Sequence, residues 1–198
     1  TSIYYLGKRM VLLDGTSDYR WSNVNDPLTW DPLAVDDADT FPDTLVGAEV
    51  VRDELWLFGP RSYEVRRLTD NPDYPFQLVG GSAGEIGCGA ANSICKIGDV
   101  VFWLGSSAAG EGLVYMSNGY GAQRISDHAL EYQIGQLSAT RDAVGWAYQE
   151  EGHVFYVLTF VQGDRTFVYD LSTGGWHERA SRDPLLNVLH KWSPIYAV

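Results

Sequence analysis

The sequence predicts an all-β chain folded as a β-propeller, and three observations carry that prediction. Apolar β-forming runs of five to eight residues are bounded by Gly, Asp, Asn and Pro. The densest of them open at Met10, Leu55, Val101 and Val154, about 45 to 54 residues apart, the size of a four-stranded propeller blade. Each dense run is followed by a polar turn, an aromatic strand and a third strand. A lone four-stranded sheet cannot hide two apolar faces, so similar sheets must stack on it, and radial stacking protects their edges. One antiparallel sandwich with coincidental repeats is the alternative.

The first set is Met10–Leu13, Tyr19–Ser22 and Leu28–Trp30; the second is Leu55–Phe58, Tyr63–Arg66 and Phe76–Val79. The third is Val101–Leu104, Leu113–Met116 and Ala122–Ile125; the fourth is Val154–Val157, Thr166–Tyr169 and Gly175–His177. Glu54–Phe58 and His153–Leu158 are dense enough to be buried on both faces, whereas Ala48–Arg52 and Tyr63–Arg66 alternate. Small-residue strands precede the last three sets, at Val46–Val51, Ala90–Lys96 and Val144–Tyr148; Ala90, Ala91 and Ser93 suit the crowded axis. Trp56, Trp103, Phe155 and Trp176 suit the wider wedge between blades. The expected blades are residues 1–44, 45–85, 86–138 and 139–182. The first lacks an inner strand, which segment 183–198 would supply unless it begins a further blade. About four blade-like, four-stranded antiparallel sheets make a low count for a ring, so an arc or fragment of a larger propeller is also expected.

Two segments look helical. Ser126 is placed to cap a short helix with Leu130, Ile134 and Leu137 at i, i+4 and i+7, weakened by Gly135. Asp183-Pro184 followed by Leu185, Leu186, Val188, Leu189 and Trp192 fits a capped helix or a strand, and the pattern does not decide between them.

The 198 residues suffice for one ordinary domain or two small ones with a real core. A composition 45% hydrophobic and 13% aromatic is too apolar for a disordered chain, and no apolar run approaches the 18 or so residues of a spanning helix. No charged-then-apolar leader opens the chain, and Thr1 in place of Met is consistent with a processed chain or an excised piece. A net charge of −12, with only three lysines, argues against grasping nucleic acid, because phosphate binding rests on Lys and Arg. Two cysteines, Cys88 and Cys95, are too few for a disulfide scaffold, and a reducing compartment is compatible with them.

Candidate chemistry is sparse. The stretch from Asp14 to Asp53 holds ten carboxylates against Arg20 and Arg52. Its tip, Asp36, Asp37 and Asp39 with Asp43, has the hard oxygens for Ca²⁺, yet it lacks an EF-hand glycine and terminal Glu. Pro27, Pro32 and Pro42 favour a solvated surface loop, and segment 26–43 is the best candidate for a partner-facing or lumen-facing element. Ser93-Ile94-Cys95-Lys96 matches SxxK without its companion motifs, and Cys88 and Cys95 have no histidine beside them to complete a zinc site. Of His128, His153, His177 and His190, none sits in a G-x-S-x-G or H-E-x-x-H context; His177 is placed to lock a blade corner. Gly80–Gly87 reads as a flexible inter-blade crossing rather than a phosphate loop. Glu64, Glu131 and Asp170 are the only carboxylates in apolar surroundings, a weak basis for glycoside hydrolysis. No catalytic, cofactor-binding or metal-ligating residue is expected, and no cofactor.

Four stretches carry a resemblance. They are Glu54–Pro60 with Glu64 and Pro75-Phe76; Ile86–Ala91 leading to Val101–Gly105; Arg124–His128; and Gly152–Phe160 followed by Arg165–Asp170 and Gly175–Arg179. In order and spacing across most of residues 45–182 they resemble the packaged-DNA stabilisation proteins, or tail accessory (tail hub) proteins, of short-tailed bacteriophages and prophages, whose full members are longer. The resemblance implies a structural virion protein of the phage tail, made in the bacterial host cytoplasm. It implies a ring of about six copies that follows the portal and its adaptor ring, keeps packaged DNA from leaking, and offers surfaces to the tail needle and tailspikes. It carries no catalytic residues. The alternative function is a stand-alone ligand-binding or glycan-processing propeller. The charge fits a conduit independently: a wall that DNA must slide past should repel phosphate, over a screening distance of roughly 8–10 Å.

Overall fold

The structure, a computed structural model, describes residues 1–41, 43–107 and 110–193. Its strands form four antiparallel sheets, each a meander in chain order apart from one short strand of the third, Gly87–Cys88, which pairs with Gly105–Ser106. The first holds β1 (Ser2–Leu6), β2 (Arg9–Leu13), β3 (Asp18–Trp21) and β4 (Val35–Asp37); the second β5 (Gly47–Val51), β6 (Glu54–Phe58), β7 (Tyr63–Leu68) and β8 (Phe76–Leu78). The third holds β9 (Gly87–Cys88), β10 (Cys95–Ile97), β11 (Val100–Ser107), β12 (Gly110–Asn118) and β13 (Gly121–Arg124), followed by helix α1 (His128–Gly135). The fourth holds β14 (Ala143–Glu150), β15 (His153–Phe160), β16 (Arg165–Asp170), β17 (Gly175–Arg182) and β18 (Leu189–Lys191). Tight hairpins set the register. Gly7-Lys8 and Glu151-Gly152 are two-residue turns with both residues at positive φ, whose twist matches that of the paired strands.

The first strands of successive sheets touch in series, β1 against β5, β5 against β10 and β10 against β14, as the inner strands of propeller blades do. Close approach there demands small residues: a Cβ on Gly145 would lie 2.3 Å from the Ser93 carbonyl oxygen. Three separate cores fill the wedges between neighbouring blades. Leu6, Val11, Leu13, Tyr19 and Trp21 of the first meet Leu55, Leu57 and Phe76 of the second. Trp56, Phe58, Tyr63 and Val65 of the second meet Val101, Trp103 and Tyr115 of the third. Phe102, Leu104 and Val114 of the third, with Leu130 and Ile134 of α1, meet Tyr156, Leu158, Phe160 and Phe167 of the fourth. Fully burying one such side chain contributes about 1.5–3 kcal/mol. The middle core stacks Trp56 on Tyr63 at 5.6 Å and Phe58 near Trp103 at 5.2 Å. Its two indole N–H groups lie buried without an acceptor among the described residues, a cost that ring contact must offset.

Several expectations change. The inner strand of the first blade is Ser2–Leu6, whose Tyr5 and Leu6 pair with Met10 and Arg9, and among the described residues no C-terminal strand takes that place. The outer strand is Val35–Asp37 rather than Leu28–Trp30, because Asp26 and Asp31 fold 28–33 into side-chain-capped turns. Ala90–Lys96 is not one strand: Ala91–Ser93 is a 3₁₀ turn between β9 and β10. The helix is capped by Asp127, whose carboxylate accepts from Leu130 N at 2.8 Å; Ser126 instead accepts from Val114 N. The undecided segment is an Asx-capped turn on Asp183 leading into β18, which pairs with β17. Pro42 and residues 194–198 lie outside the described residues.

Candidate functional site

The alternation of β7 turns Tyr63 and Val65 toward the third blade and Glu64 and Arg66 toward the first. Glu64 and Arg66 are only 3% and 6% exposed, and buried charge demands partners. The acidic segment supplies them. Arg66 donates from Nε to Glu64 at 2.7 Å, from Nη1 to Asp36 at 2.8 Å, and from Nη2 to the Asp37 carbonyl at 2.7 Å and Asp39 at 3.1 Å. Tyr19 donates to the same Asp36 oxygen at 2.9 Å and lies beneath the guanidinium, 5.7 Å from ring to Cζ. The Thr40 N–H reaches Glu64 at 3.3 Å. Burial opposes the charge on Arg66, but Tyr19, Glu64 and Asp36 around it hold it more firmly protonated than usual. Burial is also the main reason the Tyr19 phenol is pushed up.

The expected solvated tip is therefore a pinned one. Asp36 and Asp39 already neutralise a guanidinium, and Asp43 accepts from Arg61 N at 3.0 Å and Ser62 Oγ at 2.9 Å. Among the described residues no three His, Cys, Asp or Glu are placed to hold a metal ion. Glu64 drew notice in the sequence; its partner Arg66 did not, although the Glu-x-Arg spacing on an alternating strand puts both on one face.

The other candidates stay apart. Ser93 Oγ donates to the Ala90 carbonyl at 2.6 Å and accepts from Leu104 N, while Lys96 is held by the Val50 carbonyl and Glu49. Burial pushes the Cys88 thiol up to about 11 and that of Cys95 to about 12, so neither is a thiolate nucleophile. The blade corner is locked not by His177 but by His153, whose Nδ1 lies 2.8 Å from Asp170. His177 accepts from Arg179 and stands edge-on to Phe155. His190 pairs with Asp164, and His128 lies 3.5 Å from Glu131, which also holds Arg124 and Ser126. Gly80–Gly87 is not a loose crossing throughout. Gly84 pairs with Tyr63, and a Cβ on Gly87 would meet Arg61 N at 2.2 Å.

A cleft of about 320 Å³ lies at the rim of the first two blades, walled by Arg9, Trp21, Asn23, Asp31 and Tyr74. Arg9 is spent on the Ser22 carbonyl and Asp31 on Leu33 N. Another, of about 270 Å³, is lined by Val46, Cys88, Ala90 and Ser106. Glu64, Glu131 and Asp170 sit on different blades, each with its own cationic or imidazole partner. What the described surface offers is one acidic tip, Asp36, Asp37 and Asp39, held in place by Arg66.

Comparisons with known proteins bear on that surface. A family model described as bacteriophage P22 Gp10, β-propeller, matches residues 1–181. No curated protein sequence matches the chain. Among solved structures, the N-terminal domain of Nup159 is similar at 7% identity and a TM-score of 0.47, over 86% of this chain and 49% of that one. A putative exported protein from Bacteroides fragilis NCTC 9343 is similar at 13% identity and a TM-score of 0.41, over 90% of this chain and 57% of that one. The chain thus spans about half the length of these structures.

Proposed function

The chain belongs to the phage stabilisation family, that of the bacteriophage P22 Gp10 β-propeller, and from that membership we propose that it works in the tail hub that closes the portal vertex and retains packaged DNA. Membership makes it a structural protein of the phage tail, located in the virion. The finer role is our proposal. Its blade surfaces contact the portal and adaptor rings, the tail needle and the tailspikes; the full-length protein forms a ring of about six copies; and the host cytoplasm produces it. The blades are residues 1–44, 45–85, 86–138 and 139–182, an arc of a larger propeller that 183–198 continues.

The family match over residues 1–181 carries this reading. Charge supports it: at −12 the surface repels a duplex that must slide past. The pinned acidic tip supports it too, because Asp37 and Asp39 are held outward at a fixed place rather than on a loose loop. None of the three buried-side carboxylates is free to act with another, which favours contact over catalysis. The test is retention on purified portal–adaptor complex. Binding of the full-length protein supports the hub; failure across several salt concentrations overturns it. A DNA gel-shift titration is expected to show no retarded duplex even at low salt.

A further inference from the structure

The cleft at the rim of the first two blades gathers hydrogen-bond donors, acceptors and an exposed ring around about 320 Å³, the lower end of ligand-sized space. Arg9, Trp21, Asn23 and Asp31 of the first blade form one side, and Asp73 and Tyr74 of the β7–β8 connection the other. Both walls thus belong to neighbouring blades already packed on each other. They are also fixed before any ligand arrives. Trp21 stands edge-on to Phe76 of the second blade at 5.5 Å. Arg9 is anchored through Nη1 on the Ser22 carbonyl, and Asp31 through one oxygen on Leu33 N. Opposite them Asn71 accepts from Asp73 N at 3.0 Å and Tyr74 N at 3.2 Å, and Pro72 stiffens the turn.

The groups left over set the ligand's chemistry. Among the described residues the other Arg9 nitrogens, the Asn23 amide, the second Asp31 oxygen and the Asp73 carboxylate make no hydrogen bond. Trp21 is only 2% exposed, yet its indole N–H, which has no acceptor there, is not sealed from solvent as those of Trp56 and Trp103 are. The Tyr74 ring is 62% exposed at the mouth. We propose that this cleft binds a neutral saccharide. A hydroxyl both donates and accepts, so a polyol can take hydrogen bonds from Arg9, Trp21 and Asn23 and give them to Asp31 and Asp73, while a C–H face of the sugar covers Tyr74. Other ligand classes use the walls less well. A phosphate meets two carboxylates beside one guanidinium that is already partly engaged. A cationic side chain leaves the three donors idle, and an apolar molecule strands every polar group it covers. A metal ion lacks ligands, since no three His, Cys, Asp or Glu among the described residues are placed to hold one. The inference rests on the cleft alone and does not depend on contact with portal–adaptor complex.

Nuclear magnetic resonance of the nitrogen-15-labelled chain tests this, with maltotriose, galactotriose and triacetylchitotriose each titrated to about 10 mM, enough to fill most of a site with a Kd of about 1 mM. At least one sugar is expected to move the indole N–H signal of Trp21 and the amide signals of residues 23, 31, 73 and 74. The indole signals of Trp56 and Trp103, sealed between blades, should stay in place. Tyr74→Ala is expected to weaken binding about tenfold. Asp73→Asn, which keeps the shape and removes the charge, should weaken it about threefold. Both positions are exposed, and near-ultraviolet circular dichroism checks that the fold survives. Tyr132→Ala, an exposed tyrosine on α1, should change nothing. Titrations in which none of the three sugars moves the cleft signals overturn the proposal. So does an affinity indifferent to Tyr74→Ala and Asp73→Asn, or one that Tyr132→Ala lowers as much. Trilysine moving the same signals where the sugars do not would assign the cleft to a cationic peptide and overturn it equally.

Discussion

Arg66 ties the second blade to the acidic segment of the first. Its guanidinium spans Glu64 on its own strand and three residues of the acidic segment. Arg66→Met should leave Glu64 and Asp36 without the cation that neutralises them and cost about 3–5 kcal/mol, read as a lower denaturant midpoint with faster amide exchange across residues 36–40. Arg66→Lys should recover only part of this, because an ammonium cannot replace the planar fork. A second residue-scale effect concerns pH. Burial, then the nearby Arg179, holds the His177 pKa below its ordinary 6.5, so the unfolded chain binds that proton more tightly than the folded one. Its contribution to stability is full above that ordinary value and is lost as pH falls below it. Asp14, held low chiefly by Thr16, and Asp164, held low by Lys191 N and His190, act further down. So does Glu131, where Arg124 and Ser126 outweigh burial. Their contribution is full above the ordinary carboxylate range and is lost as pH drops through it. The thermal midpoint should therefore fall in two stages on acidification, and His177→Gln should remove the upper one.

At the scale of strands and helices, what the sequence announces and what it hides follow from how local each signal is. The dense strands at Leu55, Val101 and Val154 and the aromatic strands beside them are legible because burial on both faces is written in runs of consecutive apolar residues. Ser2–Leu6 is not, since its half-buried Tyr4 and buried Leu6 pack in a cluster shared with a second blade more than forty residues on, where the Ala48 N–H donates to Tyr4. The helix cap is misread for a related reason: Ser126 is drawn off by Val114 N, a partner twelve residues back, and Asp127 takes the turn. Inner-strand crowding is legible as small residues, but which one is indispensable depends on the neighbouring blade. Gly145→Ala should push a methyl group into the Ser93 carbonyl and destabilise by about 1–3 kcal/mol, whereas Gly80→Ala, with open space around it, should change the melting temperature little. Asp127→Ala should cost about 1 kcal/mol and raise amide exchange in the first turn of α1 alone.

Over the whole molecule, cohesion is divided among three wedges rather than gathered in one core, and the candidate surfaces inherit that division. Among the described residues each interior blade is held on two faces, while the first and fourth are each held on one. Stability therefore approaches a sum of blade terms and nearest-neighbour terms, as in repeat proteins. The acidic tip belongs to the first blade but is clamped by Arg66 of the second, so losing the first wedge should also free the tip. Leu13→Ala, deep in that wedge, should cost about 2–5 kcal/mol, and the loss should be local. Exchange should accelerate in residues 2–45 and along the face of β6 and β7 that they cover, while residues 101–104 and 156–160 keep their protection. Uniform acceleration through all four blades would instead show a single cooperative unit. A chain whose blades loosen one at a time can retain fixed faces on the rest.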